Sequence, residues 1–373
     1  MRHHRTTMLK LTVPLTAAAF VLAACGGGDD ADAATTALPE ELAVASAVDM
    51  TDEEYAEYLT ALEEASKAEG GVLSYYFSAP AAAAEKQINL FIEKYPWVEL
   101  EYTSGGTLEL IERVITENAA GRPSADVLQG GPLEDNTLCR DEGLCLEYDP
   151  RGEADLPADR AYADCGCSVA DFFTFHITYN TNQVSAAEAP QTYEDLTDPK
   201  WKGRFGVNID QLDWFAGVLA EMGEQDGLAL MEAIAANEPV VYAGADGLEK
   251  LAAGEFDIAF PQSATRTVRD LIADGAPIEI VTTPVTIAQP DMYFPLKNAP
   301  HPATTRLYME WLMSDDWQNK VGAAVVKVPI KEGAPIPSSA EGILDSELFF
   351  ETTDNFGDYD TRVEQHQSIF VTG

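Results

Sequence analysis

From Gly70 onward, short β-rich runs alternate with amphipathic helical stripes, and this alternation limits the fold more than any other feature. Gly71-Val72-Leu73-Ser74-Tyr75-Tyr76-Phe77 reads as a strand ending in the turn-like Ser78-Ala79-Pro80. Residues 81–94 carry Ala84, Ile88, Phe91 and Ile92 at helical spacing and stop at Tyr95-Pro96. Val98 to Tyr102 alternates as a second strand, and Ser104-Gly105-Gly106-Thr107 opens a helix bearing Leu110, Ile111, Val114 and Ile115. Ala125 to Leu128 is a third strand, before Gln129-Gly130-Gly131-Pro132. A period of two marks strands and one of about 3.6 marks helices. Strands alternating with helices predict an α/β fold with a parallel sheet, whose ligands sit at the carboxyl ends of the strands.

The chain has 373 residues, enough for two domains or one body of two lobes. With 46% hydrophobic residues it can bury a real core despite a formal charge of −40. That charge argues against nucleic acid and anionic membrane surfaces as partners, because either would repel it.

Arg2, His3, His4, Arg5 and Lys10 form a basic start before the apolar run Leu11 to Ala24. The run is too short to cross about 30 Å of hydrocarbon and reads as an export signal. It ends in Leu22-Ala23-Ala24-Cys25, which resembles the bacterial lipobox. That resemblance implies a signal peptide over residues 1–24, cleavage before Cys25 and a diacylglycerol on its sulfur; an ordinary signal with a chance Cys is the alternative. Residues 25–50, rich in Gly, Asp and Ala, read as a flexible tether. Residues 51–69 read as an accessory helix, with Thr51 and Glu54 as a capping pair and Tyr55, Tyr58, Leu59 and Leu62 as its apolar stripe.

Four cysteines remain: Cys139, Cys145, Cys165 and Cys167. An even number in an exported chain argues for two disulfides. Nested pairing (Cys139–Cys167 with Cys145–Cys165) would tie two antiparallel segments. Sequential pairing would need a small, strained ring at Cys-Gly-Cys. A zinc site is the third reading, against which stand the unusual spacings Cys-x5-Cys and Cys-x-Cys.

Several motifs in order carry a family resemblance. Phe91-Ile92-Glu93-Lys94-Tyr95-Pro96-Trp97-Val98, the Ser104-Gly105-Gly106-Thr107 helix start and Gly121-Arg122-Pro123-Ser124-Ala125-Asp126-Val127 come first. Tyr179-Asn180-Thr181 then precedes Pro190-Gln191-Thr192-Tyr193-Glu194-Asp195-Leu196-Thr197-Asp198-Pro199-Lys200-Trp201-Lys202-Gly203. Leu251-Ala252-Ala253-Gly254-Glu255-Phe256-Asp257 and the segment from Pro302 to Gln318 follow. The chain resembles the extracellular solute-binding proteins of ABC importers, in the branch of ferric-iron, thiamine, phosphonate and polyamine binders. The resemblance covers about residues 70–373. It implies a two-lobe type II periplasmic-binding-protein fold with crossing hinge strands. Lobe 1 would be residues 70–168 plus 284–323, and lobe 2 residues 169–283 plus 324–373.

The same resemblance places the ligand against loops at strand ends: Ser78; Ser104, Gly105, Gly106 and Thr107; Gln129 and Gly130; Asp210, Gln211, Asp213 and Trp214; Gln262 and Ser263. Free N–H groups at the Ser104–Thr107 helix start could hold an anionic or carbonyl oxygen, or serve only as a cap. Trp214 could stack on a planar or cationic group and the aspartates pair with an amine; alternatively Trp214 is core and the acids cap a helix. The adjacent tyrosines of ferric binders are missing near Phe260 to Ala264, and Tyr75-Tyr76 in a strand point to opposite faces. His176, His301 and His366 are scattered, His176 reading as a satisfied core residue, while Arg266 and Arg269 read as a solvated helix face, with reach to a ligand carboxylate or phosphonate as the alternative.

No G-x-S-x-G, H-E-x-x-H or Walker loop is present, so the chain reads as a binding protein and not an enzyme. The expected function is capture of a small polar organic solute for delivery to the transmembrane permease subunits of an ABC transporter. No cofactor or metal is expected, nor any nucleic-acid partner; the protein is read as a monomer touching the membrane only through lipid on Cys25. Amine-bearing solutes and small acids compete as ligands, ferric iron is the alternative cargo, and disulfide exchange at Cys165/Cys167 the remaining enzymatic idea.

Overall fold

The computed structural model describes residues 38–78, 81–156, 166–243, 246–263, 268–325, 327–337 and 340–371. The export signal, Cys25, Cys165 and Arg266 lie outside them. The first described helix, α1 (Asp52–Ala68), has the predicted capping box: the Thr51 N–H donates to Glu54 Oε2 at 2.9 Å, and the Glu54 N–H to Thr51 Oγ1 at 3.3 Å. Its Tyr58 and Leu62 are buried, and its Tyr55 hydroxyl donates to Glu310.

The predicted alternation follows as β1 (Val72–Phe77), α2 (Ala81–Lys94), β2 (Glu99–Thr103), α3 (Thr107–Ala119), β3 (Val127–Gly130) and the short α4 (Pro132–Glu134), which continues as a π turn over Asp135–Asp141. β1 lies parallel between β2 and β3. The next elements are β4 (Ser168–Asn180), β5 (Phe205–Asn208), α5 (Leu212–Met222), α6 (Glu224–Ala235), β6 (Val240–Tyr242), α7 (Asp246–Ala253), β7 (Ile258–Ser263), α8 (Arg269–Ala273) and β8 (Ile278–Val281). The chain returns through β9 (Val285–Pro295), α9 (Pro302–Leu312), α10 (Asp315–Val325) and β10 (Val328–Pro329). It ends with β11 (Glu347–Phe350), α11 (Thr353–Phe356) and α12 (Tyr359–Phe370).

The sheet runs in the order β2-β1-β3-β9-β4-β7-β5-β6. It is parallel at both ends and antiparallel in the middle, because β4 and β9 cross from one half to the other. The first half of β4 (Ser168 to Thr174) pairs with β9, and its second half with β7 and β8. Every residue of β4 is buried, as a strand covered on both faces must be.

Two large apolar cores flank this crossing. One gathers Leu73, Ile88, Phe91, Val127, Phe172, Tyr308 and Trp311. The other gathers Phe175, Trp201, Phe205, Trp214, Phe215, Met231 and Phe260. A smaller cluster lies around Tyr242, Leu251 and Phe256.

Two segments depart from the sequence reading. Residues 38–50, expected as tether, pack on the body: Leu42 and Ala47 are buried, the Ala47 N–H donates to the Asp149 carbonyl, and the Asp149 N–H donates to the Ala45 carbonyl. Leu38, Val44 and Met50 pack beside them without a regular period, which a search for periodicity misses. The segment after α10 serves both cores, since Val328, Ile330 and Ala340 join the first and Phe370 the second. The disulfide left open by the sequence joins Cys139 to Cys145, which rules out the nested pairing. Cys167 is also disulfide-bonded.

Candidate functional site

A cavity of about 450 Å3 opens where the two cores meet. The carboxyl end of β1 contributes Phe77 and Ser78, the first residue of α3 contributes Thr107, and the turn from β3 into α4 contributes Gly130 to Glu134. Across from them stand Asp210, Gln211, Leu212 and Asp213, between β5 and the first turn of α5. The crossing strands supply Phe173, Gln289 and Asp291, and the C-terminal helices Phe356 and Tyr359.

The wall is acidic. Glu134, Asp210, Asp213 and Asp291 line it, and no Lys, Arg or His is among the described lining residues. Burial pushes the Glu134 carboxyl up to about 7 and that of Asp213 up to about 6. The Asp213 charge raises Glu134 further, while hydrogen bonds from the Gly131 N–H and Thr107 hydroxyl oppose the rise. Glu351, wholly buried, is raised well above the carboxylate range by burial and then by Asp213. Burial and the nearby carboxylates of Asp213 and Glu134 also raise the Tyr359 phenol.

Asp291 is compensated from behind. It accepts from Gln129 Nε2 at 2.9 Å and pairs with Lys327 Nζ at 3.0 Å. Lys327 also pairs with Asp171 at 2.9 Å and donates to the Tyr293 hydroxyl at 3.2 Å. Burial raises Asp171 to about 7 against the opposing pull of Lys327. A polar network thus runs through the crossing strands directly behind the cavity.

Of the residues predicted from sequence, Ser78, Thr107, Gly130, Asp210, Gln211 and Asp213 come together in this wall. Ser104, Gly105 and Gly106 precede α3 outside it, with Gly106 as the cap. Gln129 is 1% exposed and engaged with Tyr75 and Asp291. Trp214 is a core residue instead of a stacking platform: it is fully buried, edge-on to Tyr193 and Phe260. Gln262 is likewise buried, donating to the Tyr242 hydroxyl, and Ser263 beside it does not line the cavity. His176 is the satisfied core side chain expected, bonded to Thr174 Oγ1 at 2.8 Å.

Sequence reasoning missed Glu134, Asp291, Gln289, Phe356 and Tyr359. Glu134 lies one helical turn beyond the Gly130-Gly131-Pro132 start, and Gln289 and Asp291 interrupt an otherwise apolar strand, so both carried a signal. Phe356 and Tyr359 carried none, since only the return of the chain brings them to the site. Among the described residues, no three His, Cys, Asp or Glu side chains are arranged to hold a metal ion. No described helix is long and apolar enough to cross a membrane.

The sequence profile of the bacterial extracellular solute-binding proteins matches residues 146–343. A probable ABC transporter periplasmic-binding protein of Sinorhizobium fredii is 29% identical over 135 residues, 35% of this chain and 37% of that protein. Iron uptake protein A2 of Synechocystis is 26% identical over 182 residues, 42% of this chain and 51% of that protein. The chain therefore spans between a third and a half of these relatives in alignment. Among solved structures, iron-bound HitA of Pseudomonas aeruginosa superposes with a TM-score of 0.68 at 18% identity, covering 80% of this chain and 99% of that one. AfuA of Actinobacillus pleuropneumoniae, solved with fructose-6-phosphate, gives 0.66 at 20% identity over 81% of this chain and 99% of AfuA. At such identities the structural likeness establishes the two-lobe fold.

Proposed function

The chain belongs to the bacterial extracellular solute-binding proteins, and from that premise we propose that it captures a small cationic organic solute between two lobes and delivers it to an ABC permease. The lobes are those built around the two large cores, with β4 and β9 as the hinge; such bodies close on a ligand by hinge motion. The protein is exported and works as a monomer held to the membrane by lipid on Cys25.

The observation that carries the ligand class is the wall itself. Acidic side chains line a cavity that has no basic side chain among its described lining residues, with Phe77, Phe173, Phe356 and Tyr359 beside them. Carboxylates pair with ammonium groups, and aromatic faces attract the same cations. An anionic solute such as a phosphonate would meet repulsion in the same space.

Ferric iron is the second reading. It is favoured by the iron named in one relative and in four structural neighbours, and by hard oxygen donors in the wall. Against it, Tyr359 is the one phenol among the described lining residues. A thermal-shift panel of putrescine, spermidine, ferric citrate and methylphosphonate separates these readings. An amine at a hundred times its Kd should stabilise the protein by about 2.7 kcal/mol. A shift with ferric citrate alone, with a coloured phenolate complex, would replace the amine by iron.

A further inference from the structure

The return of the chain puts one short helix between the two large cores. α11 packs against α4 on one side and α5 on the other. α4 and the π turn after it belong with the first core, to which they give Leu133 and Leu138. α5 carries Trp214 and Phe215 of the second core. α12 is seated on that second core as well: it packs on α5 and α6, its His366 meets Phe215, and its Phe370 joins the cluster.

α11 is tied firmly to the α12 side. The Thr352 N–H donates to Asn355 Oδ1 at 2.8 Å and the Asn355 N–H to Thr352 Oγ1 at 3.2 Å, a capping pair that holds the short helix together. Arg362 of α12 donates to the Phe356 carbonyl at 2.9 Å and pairs with Glu224 of α6 at 2.8 Å. Gly357, at φ +85°, turns the chain between α11 and α12 and leaves the room that this guanidinium fills. Phe356 and Tyr359, stacked with ring centroids 6.3 Å apart, are thereby presented to the cavity.

Toward the first core, the Thr353 hydroxyl donates to Asp135 Oδ2 at 2.7 Å, and Asp354 pairs with Arg140 at 2.5 Å. Arg140 pairs in turn with the fully buried Asp135 at 3.1 Å. We infer that Asp135 and Arg140 are positioning residues of the solute site: they clasp α11 across the cleft and hold the Phe356–Tyr359 face closed over the solute. This rests on the hinged two-lobe reading, since a clasp between the lobes acts only if the lobes part. Both contacts run from the π turn of one lobe to the helix carried by the other, so hinge opening breaks them together. The Asp354 side chain is 73% exposed, and its ion pair therefore weakens with salt. The Thr353–Asp135 bond ends on a buried carboxylate and is screened less.

Spin-label distances in the exported protein without solute test this. Labels placed through Glu112→Cys on α3 and Ala233→Cys on α6, both exposed positions, report the separation of the two cores. Thr353→Val with Asp354→Asn removes the clasp and leaves the Thr352–Asn355 cap intact. The expected result is a shift to longer distances by more than about 2 Å, with the thermal midpoint retained. Salt at about 1 M should move the parent part of the way and leave the double variant unmoved. If the double variant does not fold, Asp354→Asn alone and the salt series carry the test. Distances that coincide for parent and variant in dilute and in strong salt would overturn the clasp. Spermidine, putrescine and ferric citrate added to the parent judge the hinge separately. A shortened distance with one of them would leave the hinge standing without the clasp, whereas a fixed distance throughout would remove both.

Discussion

A methyl group on Gly130 would collide with the Glu134 side chain, so the absence of one Cβ lets that carboxyl lie against the end of β3. Gly130→Ala is therefore expected to push Glu134 aside and weaken binding of a cationic solute by at least about tenfold. The fold should be retained, because Gly130 sits at a strand end. Calorimetric titration beside a thermal melt checks both halves. The same residues show what could be read in advance. Ser78, Thr107, Gly130, Asp210, Gln211 and Asp213 were legible because α/β topology puts strand ends at the site. Trp214 was not, because its neighbour Asp213 reaches the cavity while the indole turns into the core beside Tyr193 and Phe260. Adjacent positions on a helix point about 100° apart, and a linear motif does not say which of them faces the ligand.

At the level of elements, the strand–helix alternation and the α1 capping box were written in local pattern, and the structure has both. The crossing of β4 and β9 came only through family resemblance, since antiparallel pairing between residues more than a hundred positions apart leaves no local mark. Asp171 of β4 and Asp291 of β9 form a buried group with Lys327, which immediately precedes β10. Lys327→Met should cost about 3–5 kcal/mol, because two buried carboxylates lose their counter-ion. Adding Asp171→Asn should recover part of the loss, as measured by urea denaturation. A single variant as stable as the parent would mean that the carboxyls simply take up protons instead.

For the whole molecule, a formal charge of −40 gave no ligand. Charges beyond about 8–10 Å are screened in physiological salt, so the distant acids keep the body soluble but do not choose its cargo. On the proposed reading the choice falls to a few acidic side chains of the cavity wall, of which Asp291 arrives with the return of the chain through β9. That is why the two-lobe body could be foreseen while most of the cavity wall could not. The central claim is that this wall takes a cationic organic solute. Titration calorimetry of the exported protein at about pH 8 with spermidine tests it most directly. Saturable one-to-one binding, weakened at least about tenfold by Asp213→Asn, is the expected result. No heat with spermidine or putrescine, together with saturable binding of ferric citrate or an anionic solute, would contradict it.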